Sequence, residues 1–150
     1  MRTLERSALM PFAAADLFGL VADVGAYPEF LPGCVSAQIE SDEPLADGCR
    51  RVRARVGFRV SALSDSFATE NLMQHGTRIE MRLVQGPFRK LEGVWDFQVL
   101  DERACKVSLA LTVDFASRIM EATLAPWMDR AVNGIIDAFR QRAEQRLTRG

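Results

Sequence analysis

The sequence predicts an α+β fold of the helix-grip kind: a curved antiparallel sheet wrapped around one long C-terminal helix. Two observations carry this expectation. Between positions 50 and 115, apolar side chains recur at every second residue through successive segments separated by short turns. That is the pattern of antiparallel strands with one buried and one solvated face. From about Ser117 to Leu147 the apolar spacing changes to three and four, the period of a helix. At ~1.5 Å per residue this helix is about 45 Å long. Only the inner face of the sheet is large enough to cover its apolar stripe.

The elements follow in order. "RTLERSAL" (2–9) reads as a first strand. Pro11 introduces a helical pattern in which Leu17, Leu20, Val21 and Val24 share a face flanked by Phe18, ending near Gly25. "AYPEFLPGC" (26–34) holds two prolines, which disfavour a regular strand or long helix, yet also Tyr27, Phe30 and Leu31. "VSAQIE" (35–40) alternates as a second strand, and "SDEPLADG" (41–48) reads as a turn. In "RRVRARVGFRV", Val52, Ala54, Val56, Phe58 and Val60 fall on one face and Arg51, Arg53, Arg55 and Arg59 on the other. "SDSFATENLM" (64–73) is a less regular strand, and "TRIEMRLV" (77–84) turns Ile79, Met81 and Leu83 inward. After the turn "GPF" (86–88), Leu91, Gly93, Trp95, Phe97 and Val99 line one face. "ACKVSLALTVDF" does the same with Cys105, Val107, Leu109, Leu111, Val113 and Phe115. The helical stripe runs through Met120, Leu124, Trp127, Met128, Ala131, Val132, Ile135, Ile136, Phe139 and Ala143, with Pro126 in or near its first turns.

Composition narrows the function. The 150 residues are 48% hydrophobic and 26% charged, enough for a single domain, 1–150, with one substantial core. A net charge of −1 argues weakly against a general nucleic-acid binder. Cys34, Cys49 and Cys105 are far apart and form no metal-ligand spacing, which suits reduced thiols in a cytoplasm. "ALMPFAAADLFGLVA" (8–22) is interrupted by Asp16 and reads as a mature helix rather than an export signal. No apolar run approaches the ~18 residues that span a bilayer, so any membrane contact is expected to be peripheral.

Catalytic sets are scarce. His75, the only histidine, sits in a turn, "QHGT", which argues against histidine-assisted nucleophiles. Glu92 and Asp96 share the face opposite Trp95 and read as solvated. The arginine row of Arg51, Arg53, Arg55 and Arg59 has two readings: a soluble outer strand face, with Glu80 on a neighbouring strand as a neutralising acid, or a contact for phosphates of lipid or RNA. A curved sheet under a single helix leaves room at its mouth, and such clefts take apolar small molecules. Periodicity alone does not say whether the interior is hollow or filled.

Several stretches together resemble the coenzyme-Q-binding START-domain family, including its RatA-like bacterial members, within the START/polyketide-cyclase superfamily. They are "LFGLVADVGAYPEFLPGC" (17–34), "VGF" (56–58), "QGPFRKLEGVWDF" (85–97) and "AFRQRA" (138–143). One departure is Gly33, where the family often has a large aromatic; it is expected to change the packing of the loop or widen the cavity mouth.

The resemblance implies a START-like, non-enzymatic, monomeric lipid-binding module with no cofactor. Its ligand would be ubiquinone or a related prenyl lipid, carried or placed in support of respiration. The protein would be cytoplasmic, with peripheral contact to the inner membrane. The alternative it implies is a toxin that binds the large ribosomal subunit and inhibits translation. The residues expected against the ligand are Tyr27, Phe30 and Leu31 of the loop, and Phe58, Phe67, Leu83, Phe88, Leu91, Trp95 and Phe97 of the sheet. The helix is expected to add Trp127, Met128, Val132, Ile135 and Ile136. Tyr27, Trp95, Thr69 and Asn71 are the candidate donors to a quinone head.

Overall fold

The computed structural model describes residues 2–60 and 62–147. Its elements are β1 (Arg2–Met10), α1 (Ala14–Ala22), a short 3-10 turn (Val24–Glu29), β2 (Cys34–Pro44), β3 (Cys49–Val60) and β4 (Leu63–Gln74). β5 (Arg78–Gln85), β6 (Phe88–Asp101), β7 (Ala104–Phe115) and α2 (Arg118–Leu147) complete the chain. Seven strands form one antiparallel sheet in the order β1-β7-β6-β5-β4-β3-β2. β2 to β7 are a meander. β1 joins at the far edge, with Arg2 opposite Val113 and Met10 opposite Cys105. This is the helix-grip fold that the periodicities predict.

The alternation carries through to burial. On β7, Cys105, Val107, Leu109, Val113 and Phe115 are buried, and on β6 Phe88, Leu91, Trp95 and Phe97. α2 begins where the Ser117 Oγ accepts from the Met120 N–H at 3.1 Å, an N-cap. It buries Leu124, Met128, Val132, Ile136, Phe139 and Ala143, a stripe of threes and fours. Pro126 lies inside its third turn.

Beside this apolar stripe, polar contacts tie α2 to β1. Arg2 and Arg6 have the inward parity of Leu4, Ala8 and Met10 on β1. Arg2 reaches Asp129 at 2.5 Å, and the Arg6 Nε donates to Asn133 Oδ1 at 2.7 Å. The helix backbone therefore runs close to β1, β7 and α1, and it stands off from β3 to β6.

Two expectations change. The turn expected at 41–48 is shorter, because β2 continues to Pro44. Asp42 lies opposite Val52 and Glu43 opposite Arg51, and Arg50 pairs with Asp42 at 2.8 Å. β2 is an edge strand, where proline at the end removes no ladder bond that a neighbour needs. Val99 has the inward parity but is 64% exposed, at a register shift between Val99 and Asp101 that ends the regular alternation of β6.

Candidate functional site

The gap between α2 and the β3–β6 half of the sheet is a cavity of about 480 Å³. The interior is therefore hollow. Small inward residues help make it so: Ala54 on β3, Gly93 on β6, and Ala131 and Gly134 on α2 all line it. None of these was among the residues expected against a ligand, which were bulky ones; a small residue at an inward position of a strand or helix is the signal that could have found them.

Two aromatic runs flank the cavity. One passes from Phe115 to Phe88, Phe67, Phe58 and Trp127, with successive ring centroids 5.7, 5.8, 5.9 and 5.1 Å apart. The other runs from Phe18 to Phe97, Trp95 and Phe139, with spacings of 5.5, 6.2 and 5.5 Å. Tyr27 and Phe30 cap its end against Phe139, at 5.7 and 5.2 Å.

Ten of the residues expected against a ligand line the cavity: Tyr27, Leu31, Phe58, Phe67, Leu91, Trp95, Trp127, Met128, Val132 and Ile135. Five do not. Phe88 is buried between Phe67 and Phe115, and Phe97 between Phe18 and Trp95. Leu83 is half-buried beside Gly86, and Ile136 is buried among the core residues. Phe30 turns from the cavity onto Phe139, with the Arg142 guanidinium 4.8 Å from its ring centre. Arg142 also holds Glu29 at 2.7 Å. That hydrogen bond and charge keep the Glu29 carboxyl below its ordinary pKa. The proline-bracketed loop is thus clamped to α2, and Leu31 to Cys34, not Phe30, form its cavity side.

Gly33 explains the local packing. Its φ is +80°, a left-handed conformation that side chains with a Cβ disfavour. A Cβ there would lie 2.7 Å from the Trp127 Nε1. The indole that stacks on Phe58 takes the place a side chain at 33 would need, so the departure from the family pattern repacks the loop.

Polar groups in the cavity are few. Thr69 and Asn71 share the inward parity of Phe67 and Met73 and are buried. The Thr69 hydroxyl donates to Asn71 Oδ1 at 2.8 Å, which leaves the Asn71 amide nitrogen without a protein partner on the cavity wall. Tyr27 is different. Its hydroxyl donates to the Val21 carbonyl, and burial pushes its phenol pKa well up. That proton holds the loop on α1 and is not a free donor. Burial also raises the Cys34 thiol, whose Sγ lies 3.5 Å from the Ser36 carbonyl oxygen.

Of the arginine row, Arg51 and Arg55 have acidic partners, while Arg53 and Arg59 have none among the described residues, and Arg59 lines the cavity. Arg51 lies between Glu43 (3.5 Å) and Glu70 (3.4 Å), and Arg55 pairs with Glu40 at 2.9 Å and reaches Gln85 at 2.7 Å. Glu80 is not one of these partners; it pairs with Arg78 on its own strand at 2.9 Å. Glu92 and Asp96 are exposed, and His75 is an exposed turn residue against Phe18. Among the described residues, no three His, Cys, Asp or Glu side chains are grouped to hold a metal ion. Among the described residues no helix is long and apolar enough to cross a membrane.

Known proteins match this chain along nearly its whole length. A family described as polyketide cyclase/dehydrase and lipid transport matches residues 10–140. The ribosome association toxin RatA of Pseudomonas aeruginosa is 46% identical over 143 residues, 95% of each chain. The mitochondrial coenzyme Q-binding protein coq10 of Schizosaccharomyces pombe is 25% identical over 150 residues, 96% of this chain and 90% of that one. A START superfamily protein from Mycobacterium smegmatis superposes with a TM-score of 0.80 at 20% identity, covering 95% of this chain and 97% of that one; at that identity the likeness speaks for the fold alone.

Proposed function

This chain belongs to the RatA-like branch of the START/polyketide-cyclase superfamily, and from that premise we propose that it acts at the ribosome, binding the large subunit and inhibiting translation. The observation that carries this is the near full-length match to a protein named for ribosome association. The test mixes purified protein with separated ribosomal subunits and follows their joining on a sucrose gradient. Full joining at a several-fold molar excess of protein would refute the reading. In the arginine row Arg51 and Arg55 already have acidic partners, which leaves the exposed Arg53 as the outer-face member open to such a contact.

A second reading is favoured by a separate observation, the apolar cavity. Under it the protein binds a hydrophobic small molecule such as a prenyl quinone. Each CH₂ moved out of water contributes about 0.8 kcal/mol, and the aromatic walls supply that environment. The Asn71 amide nitrogen is the donor best placed for a quinone carbonyl. A cavity this size encloses a head and the first part of a tail, so a long prenyl chain leaves through the mouth. Solvent extraction of the purified protein, together with titration of added ubiquinone, tests this. No extracted lipid and no binding would end it. The two readings are compatible if the ligand modulates the ribosomal activity.

A further inference from the structure

We propose that the ligand of this cavity is an amphiphile with an anionic head. Its tail lies between the two aromatic runs, and its phosphate or carboxylate sits at the mouth against Arg59 and Arg130. This rests on the reading of the cavity as a hydrophobic-ligand site and goes beyond it in naming the head.

The charge inventory at the mouth carries the inference. The charged residues that line the cavity are Arg59 at the end of β3 and Arg130 on α2, and no Asp or Glu lines it. Both arginines are exposed. Neither has a carboxylate within ion-pair distance among the described residues; Arg6, Arg53, Arg103 and Arg118 share that, but of these unpaired arginines only Arg59 and Arg130 line the cavity. Asp65, opposite Phe58 on β4, accepts from the Ser66 N–H and makes no ion pair with Arg59, and two other acids near the mouth are engaged elsewhere. Asp129, beside Arg130, holds Arg2 at 2.5 Å, and Glu29, before the mouth loop, lies between Arg142 (2.7 Å) and Arg146 (3.5 Å).

Position agrees with this. The Arg59 N–H donates to the Gly33 carbonyl at 3.0 Å, which places that end of β3 against the loop of the mouth. Arg130 follows Trp127 by three residues and precedes Gly134 by four, so the three share one flank of α2, and all line the cavity. A neutral quinone would leave both guanidiniums to solvent. An anion there completes them, and guanidinium suits phosphate and carboxylate alike.

The test uses Trp95 and Trp127, both on the cavity wall, as the fluorescent reporters. The full-length protein is titrated at low salt with dodecyl phosphate, dodecanoate and dodecanol below their aggregation limits, and with inorganic phosphate alone. Both anionic amphiphiles should bind about tenfold more tightly than dodecanol, as expected for two exposed charge contacts. That preference should shrink as salt is raised. The double variant Arg59→Gln/Arg130→Gln should bind all three amphiphiles alike, with dodecanol affinity unchanged and melting within a few degrees of wild type. Preference for only one anionic head would identify the head and still uphold the proposal. Equal affinities in the wild type, or a preference that survives in the variant, would overturn it while leaving the cavity reading intact. Inorganic phosphate binding as tightly as dodecyl phosphate would also overturn it, since the tail would then play no part. No response to any amphiphile would remove the cavity reading itself, and this proposal with it.

Discussion

Replacing Gly33 with alanine adds one methyl group, and the structure allows its cost to be worked out in two parts. The backbone at 33 has a φ of +80°. Holding an L-residue with a Cβ in that left-handed region costs about 1–2 kcal/mol. The added Cβ would also lie 2.7 Å from the Trp127 Nε1, well inside contact distance. The indole cannot simply swing aside, since it is stacked on Phe58 at 5.1 Å. Overpacking of this kind costs about 1–3 kcal/mol. The two parts give about 2–5 kcal/mol, or a melting temperature lower by roughly 4–20 °C for a chain of this size. Circular dichroism gives the melt, and a double-mutant cycle separates the parts. In a Trp127→Ala background, Gly33→Ala should cost only the backbone share, about 1–2 kcal/mol. A Gly33→Ala protein that melts within 2 °C of wild type would refute the reasoning, as would an equal loss in both backgrounds.

Three further outcomes are expected. Tyr27→Phe should lose about 1 kcal/mol, the worth of one hydrogen bond to the Val21 carbonyl. Because the folded phenol holds its proton above the ordinary pKa while the unfolded one releases it near pH ~10, wild-type stability should be level below that pH and fall as pH rises further. Chemical denaturation across that range should show a shallower decline in Tyr27→Phe. Phe30→Ala should cost about 2–3 kcal/mol through lost contacts with Tyr27, Phe139 and Arg142, and leave ligand uptake near wild type, since the ring faces away from the cavity. Leu31→Asp should instead impair uptake, and the reverse result in a liposome transfer assay would mean that Phe30 is the mouth residue. Asn71→Leu alone should destabilise by about 1–3 kcal/mol by stranding the Thr69 hydroxyl, whereas Thr69→Val with Asn71→Leu should be near neutral. Both should weaken binding of any ligand whose head uses the amide.

Period and parity made most of this fold readable in advance. The strands from β3 to β7 alternate cleanly because one face is covered and the other wet, and α2 shows its stripe because it has a single partner surface. The misreadings have physical sources. Ser41–Pro44 has the composition of a turn, but Arg50 and Arg51 on the facing strand, with their acidic partners, keep it in the ladder. Val99 continues an alternation that a register shift between Val99 and Asp101 breaks.

In the site, parity separated inward from outward residues but not cavity wall from solid core. Phe97 points the same way as Leu91 and Trp95, and a register shift between Phe88 and Lys90 brings Phe88 to the buried face against its parity, yet only Leu91 and Trp95 line the cavity. The difference is set by where α2 is held, and that depends on Arg2 and Arg6 meeting Asp129 and Asn133 more than a hundred positions away. The clamp of Arg142 on Glu29 and Phe30 is of the same long-range kind. No local pattern announces such a meeting.

The pairing of β1 with β7 also has a consequence for biosynthesis. β1 is complete at Met10, but the strand it lies beside begins only at Ala104. At roughly 5–20 residues per second, the first strand waits on the order of 5–20 s before its neighbour is even polymerised. Through that interval its backbone donors and acceptors have no native mate, the situation in which strands associate with other chains. The sequence of β1 is suited to the wait: Arg2, Glu5 and Arg6 interrupt its apolar residues and discourage such encounters. The arginines that later hold the helix in place are thus also the nascent chain's protection against premature partners.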